Sequence, residues 1–202
     1  MTDHQFTLYM TSQWFMVIAT LLLGAIAIWG DWIKAKLIGP RLVVDILNPM
    51  GEATQFSDGV ASRHYHLIVR NKIKSSPAHN VRVLMTGLSR PTADGRYGNS
   101  TLSGGVQFVW QFKDSVPQFP VIGSPLICDL GNIRQDGPFT LATMFRPIYL
   151  DTTINSNQRA KVTVQAVSDE CVSPPLNVEI SWDGKWEEDT GRMAEHVVIK
   201  VV

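Results

Sequence analysis

The sequence predicts an all-β domain, an antiparallel β-sandwich, preceded by one N-terminal transmembrane α-helix. Three observations carry this expectation. An uncharged apolar run lies near the N-terminus. From Arg41 onward, apolar residues recur with period two. Gly- and Pro-centred turn signals separate those runs, with no long amphipathic helical pattern between them.

The apolar run comes first. Trp14 to Trp29 reads W-F-M-V-I-A-T-L-L-L-G-A-I-A-I-W, sixteen residues without a charge, and Phe6–Gly30 is uncharged over twenty-five. Crossing a hydrocarbon core of ~30 Å takes about 20 helical residues at ~1.5 Å each. Trp14 and Trp29 stand near the ends, where indole rings favour the headgroup layer. Met1–Gln13 has no Lys or Arg, so it lacks the basic start of a cleaved signal peptide. No polar stripe marks a surface-lying helix. The organisation expected is a short tail over residues 1–13, a transmembrane helix over 14–30, a juxtamembrane segment over 31–40 and a β-sandwich over 41–202. In the juxtamembrane segment Trp32, Lys34 and Lys36 suit a membrane surface, and Gly39-Pro40 ends the helical extension.

The strands follow in order. Alternation places Leu42, Val44 and Ile46 on one sheet face, then Tyr65, Leu67 and Val69 with His64, His66 and Arg70 opposite. Val81, Val83 and Met85 come next, followed by Val106, Phe108, Trp110 and Phe112. Phe139, Leu141 and Phe145 make a looser run, and a short strand fits near Pro125–Leu130. Val162, Val164 and Ala166 lead to Val178, Ile180 and Trp182, and then to Val197, Ile199 and Val201. Turn signals are Asn48-Pro49, Ser76-Pro77, Ala93-Asp94-Gly95, Gly104-Gly105, Asp136-Gly137-Pro138 and Asp183-Gly184. Asp183-Gly184, between Trp182 and Lys185, predicts a two-residue hairpin turn, because Asp-Gly tolerates positive φ at both central positions. Trp182 and Trp186 are either stoppers beside that turn or an exposed aromatic edge. A short helical turn is expected within Gly191–His196.

His66–Met85 reads H-L-I-V-R-N-K-I-K-S-S-P-A-H-N-V-R-V-L-M. A hydrophobic strand ends in Asn71, a short loop contains Ala78, and Asn80-Val81-x-Val83 follows. The segment resembles the strand–turn–strand of bacterial immunoglobulin-like modules of the cell-adhesion-related (CARDB-like) type. Ile73 stands where those modules usually have Gly. The resemblance spans about 20 residues. It implies an immunoglobulin-like sandwich and a binding role, and it implies no catalytic residue.

Eighteen Lys+Arg balance eighteen Asp+Glu. That excludes a chain built for non-specific nucleic-acid binding. His64-x-His66 has the spacing for two strand residues to share a metal, with His79 or Asp45 as the third ligand; the competing expectation is two histidines on a wet sheet face. Cys128 and Cys171 are two reduced thiols or, in an oxidising compartment, a bridge between sheets. Asp183, Glu187, Glu188 and Asp189 form an acidic cluster without the alternating oxygen loop of a Ca²⁺ site. Ser103-Gly104-Gly105 lacks the strand–helix setting of a phosphate loop. The chain is therefore expected to be no enzyme, with no catalytic, cofactor-binding or metal-binding residue and no cofactor.

The expected role is a single-pass, membrane-anchored protein-interaction module. The expected partners are the lipid bilayer, another protein, and a second copy of the chain, with no nucleic acid. The alternative is a membrane effector or sensor whose β domain binds a small ligand, such as a nucleotide messenger in antiviral defence, while helices cluster through Gly24, Ala25 and Ala27. A deep pocket lined by Arg and aromatic residues favours the sensor; an exposed apolar patch favours the protein-binding module. Lys34, Lys36 and Arg41 follow the helix and no Lys or Arg precedes it. The positive-inside bias then places the β domain in the cytoplasm, whereas the resemblance implies display outside.

Overall fold

The computed structural model describes residues 3–100, 102, 104–112, 116–135 and 137–202, and within the N-terminal helix the side chains at 10, 13–30 and 38. The chain forms two compact units, Met1–Gly39 and Pro40–Val202.

The first unit is one helix, α1 (Asp3–Ile38). At ~1.5 Å per residue it is about 54 Å long, more than a ~30 Å hydrocarbon core requires. Residues 3–13 of the expected tail, and residues 31–38 after Gly30, are helical too. The helix outruns its apolar stretch because backbone hydrogen bonds, not side-chain polarity, propagate it. Gln13–Gly30 is long and apolar enough to cross a membrane, and its large side chains, Trp14 to Trp29, are exposed. Thr20 Oγ1 donates to the Met16 carbonyl at 2.8 Å, which satisfies a hydroxyl that lipid would leave unpaired. The helix stops at Ile38, just before Gly39-Pro40. The side chains of Trp32, Lys34 and Lys36 lie outside the described residues.

The second unit is made of antiparallel sheets. The strands of the first are β1 (Leu42–Ile46), β2 (Glu52–Gln55), β3 (Ala61–Asn71), β6 (Leu126–Arg134), β7 (Phe139–Leu141) and β8 (Thr153–Ile154). Their order is β1-β3-β6-β7-β8, with β2 on the half of β3 that β1 leaves free. The second sheet holds β4 (Arg82–Ser89), β5 (Val106–Gln107), β9 (Gln158–Val167), β10 (Leu176–Trp182) and β11 (Val197–Val201), in the order β11-β10-β9-β4-β5.

The alternating residues do what their period predicts. Tyr65, Leu67 and Val69, Val83 and Met85, Val162 and Val164, and Val178 and Ile180 are all fully buried in one apolar cluster fed by both sheets. The strand after β5 changes sheets. Phe108 N still donates to Val83 of β4, while Val109 and Gln111 already pair with Asp129 and Ile127 of β6 and with Ala142 just after β7. This crossing stitches the layers at their edge. Where β6 meets β7, Gly131 is required by space, since a Cβ there would sit 2.6 Å from the Thr140 carbonyl and 2.7 Å from the Phe139 ring.

One buried side chain closes an end of the domain. The Asn71 carboxamide accepts from Arg41 N and Ile73 N, each at 3.0 Å, and donates to Ser76 O at 2.7 Å and Ile122 O at 3.3 Å. It joins the start of β1, the loop after β3 and the loop before β6.

Several expectations need correction. Phe112 and Phe145, read as inward strand residues, are 72% and 55% exposed on loops. Val201, at the end of β11, is exposed as well. Asp183-Gly184 does not form a two-residue hairpin. β10 pairs with β11 through Trp182↔Val197, and residues 183–196 between them include α2 (Thr190–His196), capped by the Asp189 carboxylate on Arg192 N. Gly184 does take positive φ, at +94°, pressed against Ser156. β2 was not legible, because its four residues are all exposed and show no apolar alternation.

Two predictions follow from the packing. Val83→Asp and Ile180→Asp each bury a lone carboxylate, which costs several kcal/mol against a typical stability of ~5–15 kcal/mol. Cooperative thermal unfolding, followed by near-ultraviolet circular dichroism, should be lost. The second concerns Glu179 of β10, opposite Lys200 of β11 with Nζ–Oε1 at 2.9 Å. The hydrogen bond from Lys200 is the chief cause that holds its carboxyl below the ordinary 4.5. A depressed carboxyl contributes stability that is present above its unfolded pKa and lost as pH falls through the folded one. Below about pH 4.5 the wild-type melting temperature should therefore fall more steeply than that of Glu179→Gln.

Candidate functional site

The two strand histidines stay on one face, with their rings 6.3 Å apart, but differ in burial. A bulge opposite Tyr65–His66 sets His66 beside Asp129 of β6. His66 is 4% exposed, its Nδ1 lies 2.9 Å from Asp129 Oδ1, and its Nε2 lies 3.7 Å from Glu52 Oε2 on β2. This corrects the wet-face expectation for His66. His64 is half-buried between the Phe56 ring at 5.6 Å and the His66 ring at 6.3 Å, and burial draws its pKa below 6.5. These residues line a cleft of about 470 Å³ together with Gln111, whose Oε1 is buried without a hydrogen-bond partner.

The structure does not assemble a metal site from them. Asp45 pairs with Arg70 at 3.0 Å, and His79 pairs with Glu170 at 2.6 Å. Among the described residues no group of three or more His, Cys, Asp or Glu side chains could hold a metal ion. The acids of the 183–189 cluster have other tasks. Asp183 accepts from Lys185 N at 2.9 Å and sits 2.8 Å from His196 Nδ1. Burial alone would raise its pKa, and the Lys185 N–H and His196 outweigh that and lower it.

Cys128 and Cys171 are both free. Cys128 is fully buried in β6, and burial pushes its thiol well up. Trp182 is buried, with Nε1 donating to Lys185 O at 3.4 Å, and Trp186 is half-buried. The pair is no exposed aromatic edge. Ser103 lies outside the described residues; Gly104 is exposed, and Gly105 abuts Leu84.

Arginine and aromatic groups do meet, in a depression of about 480 Å³ lined by Arg90, Arg159, Trp182 and His196. Both guanidiniums are already engaged. Arg90 bonds Asp151 and the Thr153 carbonyl. Arg159 donates to Gly95 O at 3.0 Å and covers the Tyr97 ring.

An exposed apolar region is the other alternative, and it is present. Phe112, Phe119 and Val121 on the β5–β6 loop are 72%, 45% and 54% exposed. Met144, Phe145, Ile148 and Tyr149 on the β7–β8 loop are exposed as well. The loops touch: Gln118 Nε2 reaches Met144 Sδ at 3.2 Å, and Trp110, Val116, Thr143 and Met144 line a depression of about 410 Å³ between them. Phe112 has φ +58°, a left-handed conformation that an aromatic residue adopts at a cost of ~1–2 kcal/mol. Apolar periodicity could not find this surface, because the same residue types fill the core.

No known protein family, curated protein or solved structure matches the chain.

Phe112 gives a direct prediction. Phe112→Gly removes the backbone strain and little packing. It should raise stability by about 1 kcal/mol, measured by denaturant unfolding.

Proposed function

We propose that this chain is a single-pass membrane protein whose β domain, an immunoglobulin-like sandwich, binds another protein through the paired β5–β6 and β7–β8 loops. The observation that carries the reading is the run of large apolar side chains those loops expose, from Phe112 to Tyr149. Monomeric soluble surfaces seldom leave contiguous apolar patches beyond a few hundred Å² without a partner. A strained aromatic residue at the rim fits a recognition role, since strain persists where function retains it. The CARDB-like resemblance of His66–Met85 agrees with a binding module. The positive-inside bias of Lys34, Lys36 and Arg41 supports a cytoplasmic β domain.

The sensor reading draws on one observation, the unpartnered Gln111 Oε1 in the His64–His66 cleft. The apolar loops favour the protein-binding reading over it, and neither reading requires catalysis.

A photo-crosslinking residue at Ile148 of the full chain, in cells, should give a discrete adduct with a second protein. The same residue at Thr54, exposed on β2, should give none. Ile148→Asp should lower capture at a Phe145 crosslinker by tenfold or more, the loss of ~1.4 kcal/mol or more at a hot spot, with melting unchanged. Equal labelling from Thr54 would sink the assignment. Topology is tested by C-terminal fusions: a fluorescent protein that matures only in the cytoplasm should glow, and a phosphatase active only outside should be silent.

A further inference from the structure

Exposed basic side chains gather at one end of the β domain. At the end where β1 begins, the loops are held together by hydrogen bonds that fix which side chains are neighbours. Lys72 N donates to Arg41 O at 2.9 Å, and Asn71 ties both to Ile122. Ala78 and Ile122 exchange two backbone bonds, and Val81 N donates to Pro120 O at 3.0 Å. Arg82 lies over the Phe119 ring at 5.9 Å. Arg41, Lys72, Lys74 and Arg82 are all exposed there, beside exposed Phe119 and Val121. The acids at this end, among the described residues, are Asp169 and Glu170. Glu170 is engaged by His79, and Asp169 accepts from Asn80 Nδ2.

The opposite end is mixed in sign, with Arg63, Arg90 and Arg159 beside the acids of residues 183–195. The segment 183–195 leaves β10 at the end where Trp182 pairs with Gln158. It carries Asp183, Glu187, Glu188, Asp189 and Glu195 against Lys185 and Arg192.

We infer that the Arg41 end of the β domain docks on the anionic headgroup surface of a membrane, with Arg41, Lys72, Lys74 and Arg82 facing lipid phosphates and Phe119 and Val121 entering the interfacial layer. This rests on the reading of α1 as a membrane span. Two arguments select the bilayer as occupant. The charge is complementary to an anionic leaflet and is paired with apolar groups, the combination that interfacial binding uses. Three residues, Gly39 to Arg41, link the last helical residue to β1. Four Cα steps of 3.8 Å limit the separation of Ile38 and Leu42 to about 15 Å, so this docking is an intramolecular event at high effective concentration. Of the apolar side chains on the two loops, Phe119 and Val121 are assigned here to lipid, and Phe112 with the 144–149 loop to a protein partner.

The test uses the full chain in lipid nanodiscs of phosphatidylcholine alone or mixed with phosphatidylglycerol, read by amide hydrogen exchange and mass spectrometry. Peptides covering 72–80 and 117–123 should exchange more slowly in the anionic discs. The effect should vanish at 1 M salt, where the Debye length falls to ~3 Å. Peptides covering 183–195 should not respond. Each of Lys72→Glu, Lys74→Glu and Arg82→Glu should lower the docked-to-undocked ratio by fivefold or more, since a single Lys or Arg near an anionic surface contributes roughly that factor. Identical exchange of 72–80 and 117–123 in both lipids overturns the docking. Flotation of the full chain with vesicles after alkaline extraction is scored separately. A chain that floats without lipid-dependent protection keeps its anchor and refutes the docking, whereas a chain that does not float refutes the anchor and the docking together.

Discussion

Four hydrogen bonds converge on the buried carboxamide of Asn71, and the order of one whole end of the domain depends on them. The amide replaces the sheet partners that β3 lacks once it passes the start of β1. It offers an acceptor to two backbone N–H groups and donors to two carbonyls, a set that no apolar or acidic side chain reproduces. Each group left unpaired in that setting would cost ~1–3 kcal/mol. The loop after β3 and the loop before β6 are therefore held in register with the chain arriving at Arg41. The basic and apolar side chains of those loops share one surface because one amide joins their backbones.

The other end is closed by a different device. Arg63 is 1% exposed and reaches Met50 O at 3.3 Å, Thr190 Oγ1 at 3.1 Å and Glu188 O at 3.2 Å. Its charge is met by carbonyl and hydroxyl dipoles, with no carboxylate in the set. A buried ion tied only to dipoles costs more than an apolar filler would. What it provides is connection, between β3, the loop before β2 and the segment that leads into α2. The two ends thus divide the labour, with a neutral amide at the basic end and a cation among carbonyls at the other.

The core was legible in the sequence because period-two alternation is a direct image of a sheet with one buried face. Leu67, Val83, Val164 and Ile180 needed nothing more. The departures have local causes. Phe112 continues the alternation of Val106, Phe108 and Trp110 but its own backbone is left-handed, so its side chain leaves the core. His66 should face solvent by parity with His64, and the bulge in its pairing with β6 brings it against Asp129. Asp183-Gly184 announces a positive φ correctly, yet a turn signal specifies a bend and not the strand that follows it. The candidate surface was the least legible feature. Exposed and buried aromatic residues have the same composition, and only the loops' tertiary contacts separate them.

The sealed environment of Cys128 has a kinetic meaning. Its Sγ donates to the Val109 carbonyl at 3.3 Å beneath the strand that crosses between sheets, and burial keeps the thiol protonated. A protonated thiol without solvent access is a poor nucleophile. Alkylating reagents and oxidants therefore act first on Cys171, which is only partly covered. Modification of Cys128 has to wait for the layers to separate where Phe108–Gln111 joins them, so the ratio of the two labelling rates is a native clock for opening of the core, measurable in the full chain without an added probe.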